Sequence, residues 1–493
     1  MSSQTHNSST ISINSSTANS VTTSLELATL SCVAPTATSL EQATLSCVAP
    51  AATSSCCSSN DSGSNSSSSN LSGVVQKPFV PRLGYACINN TLNYPKDRKD
   101  TTCRINSAYK AGEKTGFDPE TPEYSKAVYD FLIRYGLKNT AEIIDILNWH
   151  VKVGLRFYRI SSALFPHIDN DLLRTHMTDE DLYDYRNLNP FKKNLERIAE
   201  IAYTNGIRLT MHPDPYAVLA SPDDDKVKTT IMTLTWHALL FDIMEAHIEK
   251  VYGVKNSFKD SILCVHIGGR YDKLGGKDGT LKRWAQNFRQ KLPIFVQKRV
   301  CVENCEKSYS AEDLLPLCEE LKIPLIFDFH HYDCYPVYHK DSTQQSTMKL
   351  LPRIIDTWLV RGMRPKFHLS DQAPGLMTGA HDQFVRSIPE PLLVLAKEGK
   401  IEFDIMIEAK AKDYAVYYLL EKYPFFNNTN IKDPHSKIHA QYPNVPIKPV
   451  PVSLLLVPEN NMGSENTIVK KIVPLPILVP RNLSSKNKQD STL

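Results

Sequence analysis

Short apolar runs alternate with longer amphipathic stretches from residue 78 onward. The apolar runs are rich in β-branched residues and predict eight strands, at 83–88, 157–161, 208–212, 262–267, 300–303, 325–328, 366–369 and 403–407. The amphipathic stretches have a helical period and predict helices at 123–150, 190–205, 223–251, 281–297, 311–321, 347–361, 390–397 and 411–422. This alternation predicts an α/β protein of the (β/α)8 class, a TIM barrel, over residues 78–425. An open doubly wound sheet is the alternative, but no Gly-rich phosphate loop follows the first strand.

The two ends of the chain differ from this pattern in composition. Residues 1–76 consist mainly of Ser, Thr, Ala and Asn, with almost no charged or aromatic side chains. Such a segment cannot bury enough apolar surface to offset its chain entropy, so we expect a disordered head. Residues 426–493 are rich in Pro with short apolar triplets between, a pattern unsuited to helices and central strands. We expect a Pro-rich C-terminal extension there, either an arm packed on the barrel or on a partner, or a disordered tail.

The charge, hydropathy and cysteine content limit the cellular environments and the partners that the chain suits. The net charge of +3 is close to balance, so it favours neither nucleic acid nor a membrane surface, and any DNA site must be local. No apolar run reaches the ~18 residues of a membrane span, and the N-terminus lacks the basic and apolar regions of a secretory signal. We therefore expect a soluble intracellular protein with no membrane partner. The 11 cysteines include no CxxC pair, which predicts reduced thiols.

Metal-capable side chains occur where the predicted strands end. The clearest case is KIPLIFDFHHYD at 322–333, in which a buried strand runs directly into Asp328 and His331. For that stretch alone, a strand end capped by an Asp turn with solvated histidines is an equally good interpretation. The other strand ends favour a metal site, because in a barrel they all meet at one rim. The full set is His212, His266, Glu303, Asp328, His331, His368, His381 and Glu408, with His381 in the loop after the seventh strand.

Three carboxylates and five imidazoles are more ligands than one catalytic ion uses. The set therefore predicts two or three divalent metal ions, with Mn²⁺ favoured and Zn²⁺, Mg²⁺ or Co²⁺ as alternatives. Clusters of this kind suit phosphoryl chemistry, because the ions activate water and neutralise charge on the phosphate. Phosphodiester hydrolysis is thus the leading reaction class. A metal-dependent sugar isomerase or epimerase is an alternative, although its ligands would be richer in carboxylate.

Eight short motifs follow one another along the barrel segment, namely RLGYACIN, RISSALFPH, MHPDPY, VHIGG, VEN, DFHH, KFHLS and IEAK. Together, over residues 82–423, they resemble the UV-damage endonucleases (UvdE), relatives of endonuclease IV among the metal-dependent TIM barrels. The resemblance implies a DNA repair endonuclease that needs no ATP and nicks the strand immediately 5′ to cyclobutane pyrimidine dimers or 6-4 photoproducts. It implies damaged double-stranded DNA as the partner, and we expect a monomer. An apurinic/apyrimidinic-site endonuclease of endonuclease IV type is the alternative within the same chemistry.

The resemblance also implies a role for each site residue. Glu303 would bridge the ions and act in catalysis. The other ligands would be His212 and His266 for one ion, Asp328, His368 and Glu408 for a second, and His331 and His381 for a third. Lys366 resembles the family's lysine that contacts the metals or phosphate and can be carboxylated, which makes it the second catalytic candidate. Tyr85 and Asn89 occupy positions that in the family touch the damaged nucleotides.

The MHPDPY motif is where the chain departs from the family pattern. The family usually has Gly, Gln and then an aromatic residue in this loop, and the Gln–aromatic pair is pushed into the duplex opposite the lesion. Here these positions are Asp214, Pro215 and Tyr216. Tyr216 can stack on bases, but the Pro215 side chain cannot hydrogen-bond an orphaned base, so we expect an altered lesion range. Five basic residues near the rim are candidates for phosphate contacts: Arg159, Arg270, Lys273, Lys277 and Lys410.

Overall fold

The computed structural model describes residues 80–93, 102–119, 121–429 and 431. The expected head at 1–76 lies outside the described residues, as does the expected extension at 426–493 except for 426–429 and 431. None of the helices in the described ranges combines the length and the apolarity that a bilayer span requires.

Within the described residues, the strands close into a barrel in chain order, with each strand parallel to its neighbours. They are β1 (Arg82–Ala86), β2 (Phe157–Ile160), β3 (Arg208–Met211), β4 (Leu263–Val265), β5 (Val300–Glu303), β6 (Leu325–Asp328), β7 (Lys366–Leu369) and β8 (Asp404–Ile407). The bounds of β5, β6 and β7 are those predicted, and the other strand ends differ from prediction by at most two residues. The TIM-barrel prediction is confirmed.

Helices surround the barrel and connect its strands. They are α1 (Ile105–Glu113), α2 (Pro122–Val153), α3 (Asp179–Arg186), α4 (Lys192–Thr204), α5 (Asp224–Tyr252), α6 (Gly276–Lys291), α7 (Ile294–Gln297), α8 (Ala311–Leu321), α9 (Phe329–Tyr338), α10 (Thr347–Leu359), α11 (Glu390–Glu398) and α12 (Asp413–Lys422). The helix predicted at 281–297 is instead two helices, α6 and α7, because the chain turns at Pro293, where ψ is 145°. The sequence pattern predicts no helix at α1, α3 or α9.

Side chains along each strand alternate between the barrel interior and the helix layer. On β6, Leu325 and Phe327 pack outward into the main core with the helices. Ile326 instead packs with Cys264 and Cys301 in a separate cluster. The same alternation points Glu303 and Asp328, the last residues of β5 and β6, into the mouth of the barrel.

The opposite end of the barrel is closed by one buried carboxylate and three arginines. Asp404, the first residue of β8, accepts hydrogen bonds of 2.7 Å from Nε and Nη2 of Arg82 and one of 2.8 Å from Nη1 of Arg208. Nε of Arg364 is 3.1 Å from the same carboxylate. Burial alone would raise the pKa of Asp404, but the arginines hold it below its usual range. These ion pairs tie β1, β3 and β8 together.

Candidate metal centre

Glu303, the last residue of β5, lies at the centre of a group of imidazoles and is only 1% exposed. Its Oε1 atom is 2.8 Å from Nδ1 of His368 on β7. Its Oε2 atom is 3.3 Å from Nε2 of His212, which follows β3, and 3.7 Å from Nε2 of His266, which follows β4. Side chains from four strand ends therefore meet at one carboxylate.

Asp328 and His331 extend this group from β6 into α9. The Oδ1 atom of Asp328 accepts the backbone N–H of His331 at 2.7 Å, so Asp328 is the N-cap of α9. Its Oδ2 atom is buried and has no hydrogen-bond partner in the described part of the chain. Nδ1 of His331 is 3.7 Å from Oε1 of Glu303. One carboxylate thus caps a helix with one oxygen and presents the other to the centre.

Glu408 and His381 complete the group beside β8. Oε1 of Glu408, the residue after β8, is 3.1 Å from Nδ1 of His368, and its Oε2 is 3.9 Å from Nδ1 of His381. Arg159 on β2 forms an ion pair with Glu408. The structure thus brings all eight predicted metal-capable residues together at the carboxyl ends of the strands.

The candidate ligand atoms lie close enough to one another to hold metal ions. Four overlapping sets each have their ligand atoms within 4.8 Å of one another: His212, His266 and Glu303; Cys264, Glu303 and His368; Glu303, Asp328 and His331; and Asp328, His368 and Glu408. Nδ1 of His266, Oδ2 of Asp328 and Nε2 of His368 are buried without a hydrogen-bond partner among the described residues. Buried polar atoms are normally paired, so three orphaned ligand atoms in one place fit divalent ions.

The two glutamates of the group are held in their anionic form. Burial alone would raise the pKa of Glu303, but the imidazoles of His368 and His266 hold it well below its usual range. Burial would likewise raise the pKa of Glu408, but Arg159 and His368 hold it well below its usual range. An anionic carboxylate is the protonation state that binds a metal.

The family comparison is decisive. The model of the UV-endonuclease UvdE family matches residues 81–441. The chain belongs to this family. The crystal structure of SacUVDE has 27% sequence identity and a TM-score of 0.51, covering 68% of this chain and 95% of that chain. The resemblance found in the sequence is therefore confirmed.

Curated relatives agree with this assignment. A mimivirus protein (Acanthamoeba polyphaga mimivirus) that carries the name of a UV-damage endonuclease is 36% identical over 71% of this chain and 93% of its own length. The UV-damage endonucleases of Neurospora crassa and Schizosaccharomyces pombe are 30% and 32% identical, over 76% and 71% of this chain. The matched regions cover 57% and 52% of those two relatives.

Lys366 of this UvdE chain lies two residues before His368 on β7 and is fully buried. Its Nζ atom has no hydrogen-bond partner among the residues described. Burial lowers the pKa of Lys366 to about 8, and the charge of Arg159 contributes in the same direction. A substantial neutral fraction near physiological pH makes this amine unusually nucleophilic for a lysine.

Tyr85 and Asn89, which are expected to touch the damaged nucleotides, are hydrogen-bonded to each other in this structure. Both side chains are fully buried. The hydroxyl of Tyr85 is 2.8 Å from Nε2 of His150 on α2 and accepts a 2.6 Å hydrogen bond from Nδ2 of Asn89. Oδ1 of Asn89 accepts the backbone N–H of Leu92 at 2.7 Å. Tyr85 therefore faces the helix layer and contacts α2, and a role of the two residues in binding nucleotides stays a prediction.

Cys264 and Glu306 are site residues that the sequence analysis missed. The Cys264 thiol donates to Oε2 of Glu303 at 2.7 Å. The alternation of side chains along the strand could have identified Cys264, because it lies two residues before His266 and faces the same side. Oε2 of Glu306 is 3.8 Å from Nε2 of His331. Glu306 follows β5 by three residues in a loop, where no periodicity marks it.

The loop after β3 projects from the rim. Asp214 accepts the backbone N–H of Tyr216 at 3.1 Å, which shapes a tight turn. Pro215 is exposed, and Tyr216 is 87% exposed. The ring of Tyr216 is therefore accessible for stacking on a base.

The basic residues predicted to contact phosphate differ in their surroundings. Arg270, Lys273 and Lys410 are exposed at the rim. Arg159 is instead paired with Glu408 inside the centre. Lys277 donates to Asp313 at 2.5 Å and to the Tyr335 hydroxyl at 2.7 Å. Arg159 and Lys277 therefore balance charge inside the protein, because acidic or phenolic partners bind their side-chain nitrogens.

Proposed function

We propose that this member of the UvdE family is a metal-dependent DNA repair endonuclease. It hydrolyses the phosphodiester immediately 5′ to cyclobutane dimers and 6-4 photoproducts in double-stranded DNA, without ATP. The observation that carries this proposal is the group of eight candidate ligands around Glu303 at the carboxyl-end rim of a TIM barrel. Seven of them occur in sets that could hold a metal ion, and Nδ1 of the eighth, His381, is 3.9 Å from Oε2 of Glu408. Family membership and the names of the curated relatives support UV-damaged DNA as the substrate.

Two or three divalent ions would be held at this rim, with Mn²⁺ favoured. The proposed ligands are His212, His266, Glu303, Asp328, His331, His368, His381 and Glu408. When bound, the ions would supply the Lewis acidity that activates water and neutralises charge on the phosphate and on the leaving oxygen.

The protein's own residues prepare the site for this chemistry. Glu303 is fixed by the Cys264 thiol on one side and by imidazoles on the other. Arg159 balances the charge of Glu408 and so keeps a buried acid anionic. Lys366 would supply a weakly basic amine two residues before the candidate ligand His368. Exposed Tyr216 would stack on bases as the duplex bends over the rim.

The test is incision of an end-labelled duplex that carries one cyclobutane dimer, with Mn²⁺ or with EDTA. We expect a single nick immediately 5′ to the dimer that requires Mn²⁺ and is lost in Glu303→Gln. The matched control is Glu320→Gln, which changes an exposed glutamate of α8 and should leave the nick intact.

The alternatives give different results in the same assay. An apurinic/apyrimidinic-site endonuclease is favoured by one observation, the presence of Pro215 where the family usually has a hydrogen-bonding Gln. It would cut an abasic duplex and spare the dimer. Cutting of neither substrate would overturn the nuclease proposal and direct the search to free sugars.

A further inference from the structure

A loop between β7 and His381 exposes two large apolar side chains at the rim. Leu376 is 56% exposed and Met377 is 70% exposed. Both ends of this loop belong to the candidate metal centre, because β7 carries His368 and His381 lies beside Glu408. The loop that carries the two side chains therefore begins and ends beside the candidate ligands.

The loop is held in one shape by the side chain of Gln372. Its Nε2 atom donates to the backbone oxygens of Ala373 and Met377 at 3.0 Å and of Leu376 at 3.3 Å. Its Oε1 atom accepts the backbone N–H of Gly379 at 2.8 Å. One side-chain amide thus bonds four backbone groups of the turn, so the apolar tip is preorganised.

The base of the loop is fitted closely against the centre. Gly379 has a φ of +91°, and a Cβ built on it would lie 2.8 Å from Oε1 of Glu306. Glu306 in turn is 3.8 Å from His331. The positive φ favours glycine, and the base of the loop lies beside Glu306.

Two exposed lysines lie on, or close to, segments that are hydrogen-bonded to the loop or to the residue after it. The Tyr338 hydroxyl at the end of α9 donates to the Thr378 oxygen at 3.0 Å, and exposed Lys340 follows two residues later. Exposed Lys410 donates its backbone N–H to Asp382, the residue after His381, at 3.0 Å. An apolar tip flanked by cations matches a duplex, which presents stacked bases between two phosphate backbones.

We propose that Leu376 and Met377 form an apolar wedge that enters the damaged duplex between base pairs, while the neighbouring lysines hold the phosphates. This inference rests on the proposed function and deepens it, because it names how the duplex is opened. Insertion of the wedge unstacks a base step and kinks the DNA toward the metal centre. Tyr216 would act from the loop after β3 as a separate stacking residue.

The experiment uses the full chain and a duplex with one cyclobutane dimer and a 2-aminopurine beside it. Fluorescence in EDTA reports unstacking, and single-turnover cutting with Mn²⁺ reports activity. The test variant is Leu376→Ser with Met377→Ser. Two controls are the exchange Leu376→Met with Met377→Leu, which keeps the apolar volume, and Ile294→Ser, which removes a 66% exposed apolar side chain on α7.

We expect the double serine variant to lose the fluorescence rise and to cut about tenfold more slowly. The exchange variant and Ile294→Ser should behave as wild type. A duplex with a mismatched step beside the dimer is already unstacked, so it should restore cutting by the serine variant.

Three results would overturn the inference, and they separate it from the proposed function. If the wild type and the serine variant nick the dimer equally well, the wedge inference is wrong, whereas the proposed endonuclease function is supported. If the serine variant is as slow on the mismatched duplex, the loop acts otherwise than by unstacking. If the wild type cuts no dimer, the proposed function and the wedge both fail.

Discussion

Cys264 and Cys301 are neighbouring buried thiols, but only one touches the candidate centre. They are partners in register between β4 and β5, and both are fully buried. The thiol of Cys264 donates to Glu303 at 2.7 Å, whereas Sγ of Cys301 lies 3.9 Å from the backbone oxygen of Arg299. Burial and the Glu303 carboxylate raise the pKa of Cys264 well above its usual value, so it remains a protonated donor. A fixed donor of this kind orients a metal-binding carboxylate.

Cys264→Ala should therefore lower the apparent affinity for Mn²⁺ by about tenfold, while Cys264→Ser keeps a donor and should stay close to wild type. The measurement is calorimetric titration with Mn²⁺, with dimer cutting against Mn²⁺ concentration as a second readout. Cys301→Ala is the matched control, since it removes a similar volume without touching Glu303. An equal loss of affinity in both alanine variants would show that packing, and not the hydrogen bond, is responsible.

Single residues differ in how far the sequence could predict them. The ligands at strand ends were predictable because an apolar run marks a buried strand and the polar residue after it marks the strand end. In the run from Leu325 to Asp328, that polar residue is Asp328. The direction of Tyr85 was not, because β1 is buried on both faces and gives no polar alternation to set which side faces inward. Glu306 and its contact with His331 depend on a loop that only the folded rim defines.

At the scale of elements, α9 shows how one residue serves both fold and site. Asp328 ends β6, caps α9 with Oδ1 and leaves Oδ2 free for the centre. The sequence gives no helical period here, and Pro336 lies inside the helix. The tertiary position of the cap starts the helix, which explains why the pattern predicts a loop. The simple Asp-turn interpretation and the metal interpretation of this stretch are both compatible with the geometry.

The two roles of Asp328 can be separated by substitution. Asp328→Asn keeps an oxygen that accepts the His331 N–H, so the free energy of unfolding in EDTA should stay within about 0.5 kcal/mol of wild type. It should nevertheless lose dimer cutting, because a charged ligand is gone. Asp328→Ala should lose cutting and also about 1 kcal/mol of stability. Urea unfolding in EDTA and the cutting assay measure the two effects, and wild-type cutting by Asp328→Asn would remove Asp328 from the ligand set.

At the scale of the whole molecule, the two ends of the barrel use charge in opposite ways. The rim at the carboxyl ends concentrates orphaned ligand atoms, including Oδ2 of Asp328. The other end satisfies every oxygen of Asp404 with arginines, among them Arg82 and Arg208. Because β1 and β8 pair side by side at Arg82 and Asp404, this ion pair lies on the seam that closes the barrel. We therefore assign stability to this end and chemistry to the rim.

Asp404→Asn should destabilise the fold by about 3 kcal/mol, because it leaves buried guanidinium groups without their counter-charge. The pKa of Asp404 is lower in the fold than in the unfolded chain, so its contribution is full at neutral pH and is lost as the pH falls through the folded-state value. Urea unfolding in EDTA measures the effect. Glu402→Gln is the control, since this acid pairs with Arg364 but its side chain is 66% exposed, and it should cost at most ~1 kcal/mol. Equal losses in the two variants would contradict a special role for Asp404.

His150 joins the longest described helix, α2, to the first strand of the barrel. Its Nε2 atom is 2.8 Å from the Tyr85 hydroxyl, and its ring also packs edge-on against Tyr158. Burial lowers the pKa of His150 to about 3, with a further contribution from the charge of Arg156. The imidazole is therefore neutral in the folded protein at every pH where the fold is expected to persist.

This neutrality predicts how stability depends on pH. The unfolded chain binds a proton at His150 below about pH 6.5, whereas the folded chain does not, so stability falls as the pH drops from there toward 3. The slope from this one residue is about 1.4 kcal/mol per pH unit.

His150→Gln removes the proton-binding group while keeping a polar atom for Tyr85. The variant should therefore be less stable than wild type at pH 7, and the difference should shrink by that slope as the pH falls. Urea unfolding of both proteins in EDTA between pH 7 and pH 4 tests this, with His339→Gln as a partly exposed control. A wild-type-minus-variant difference that stays constant across this range would mean that His150 takes up its proton in the folded state, and that the α2–β1 contact tolerates a buried charge.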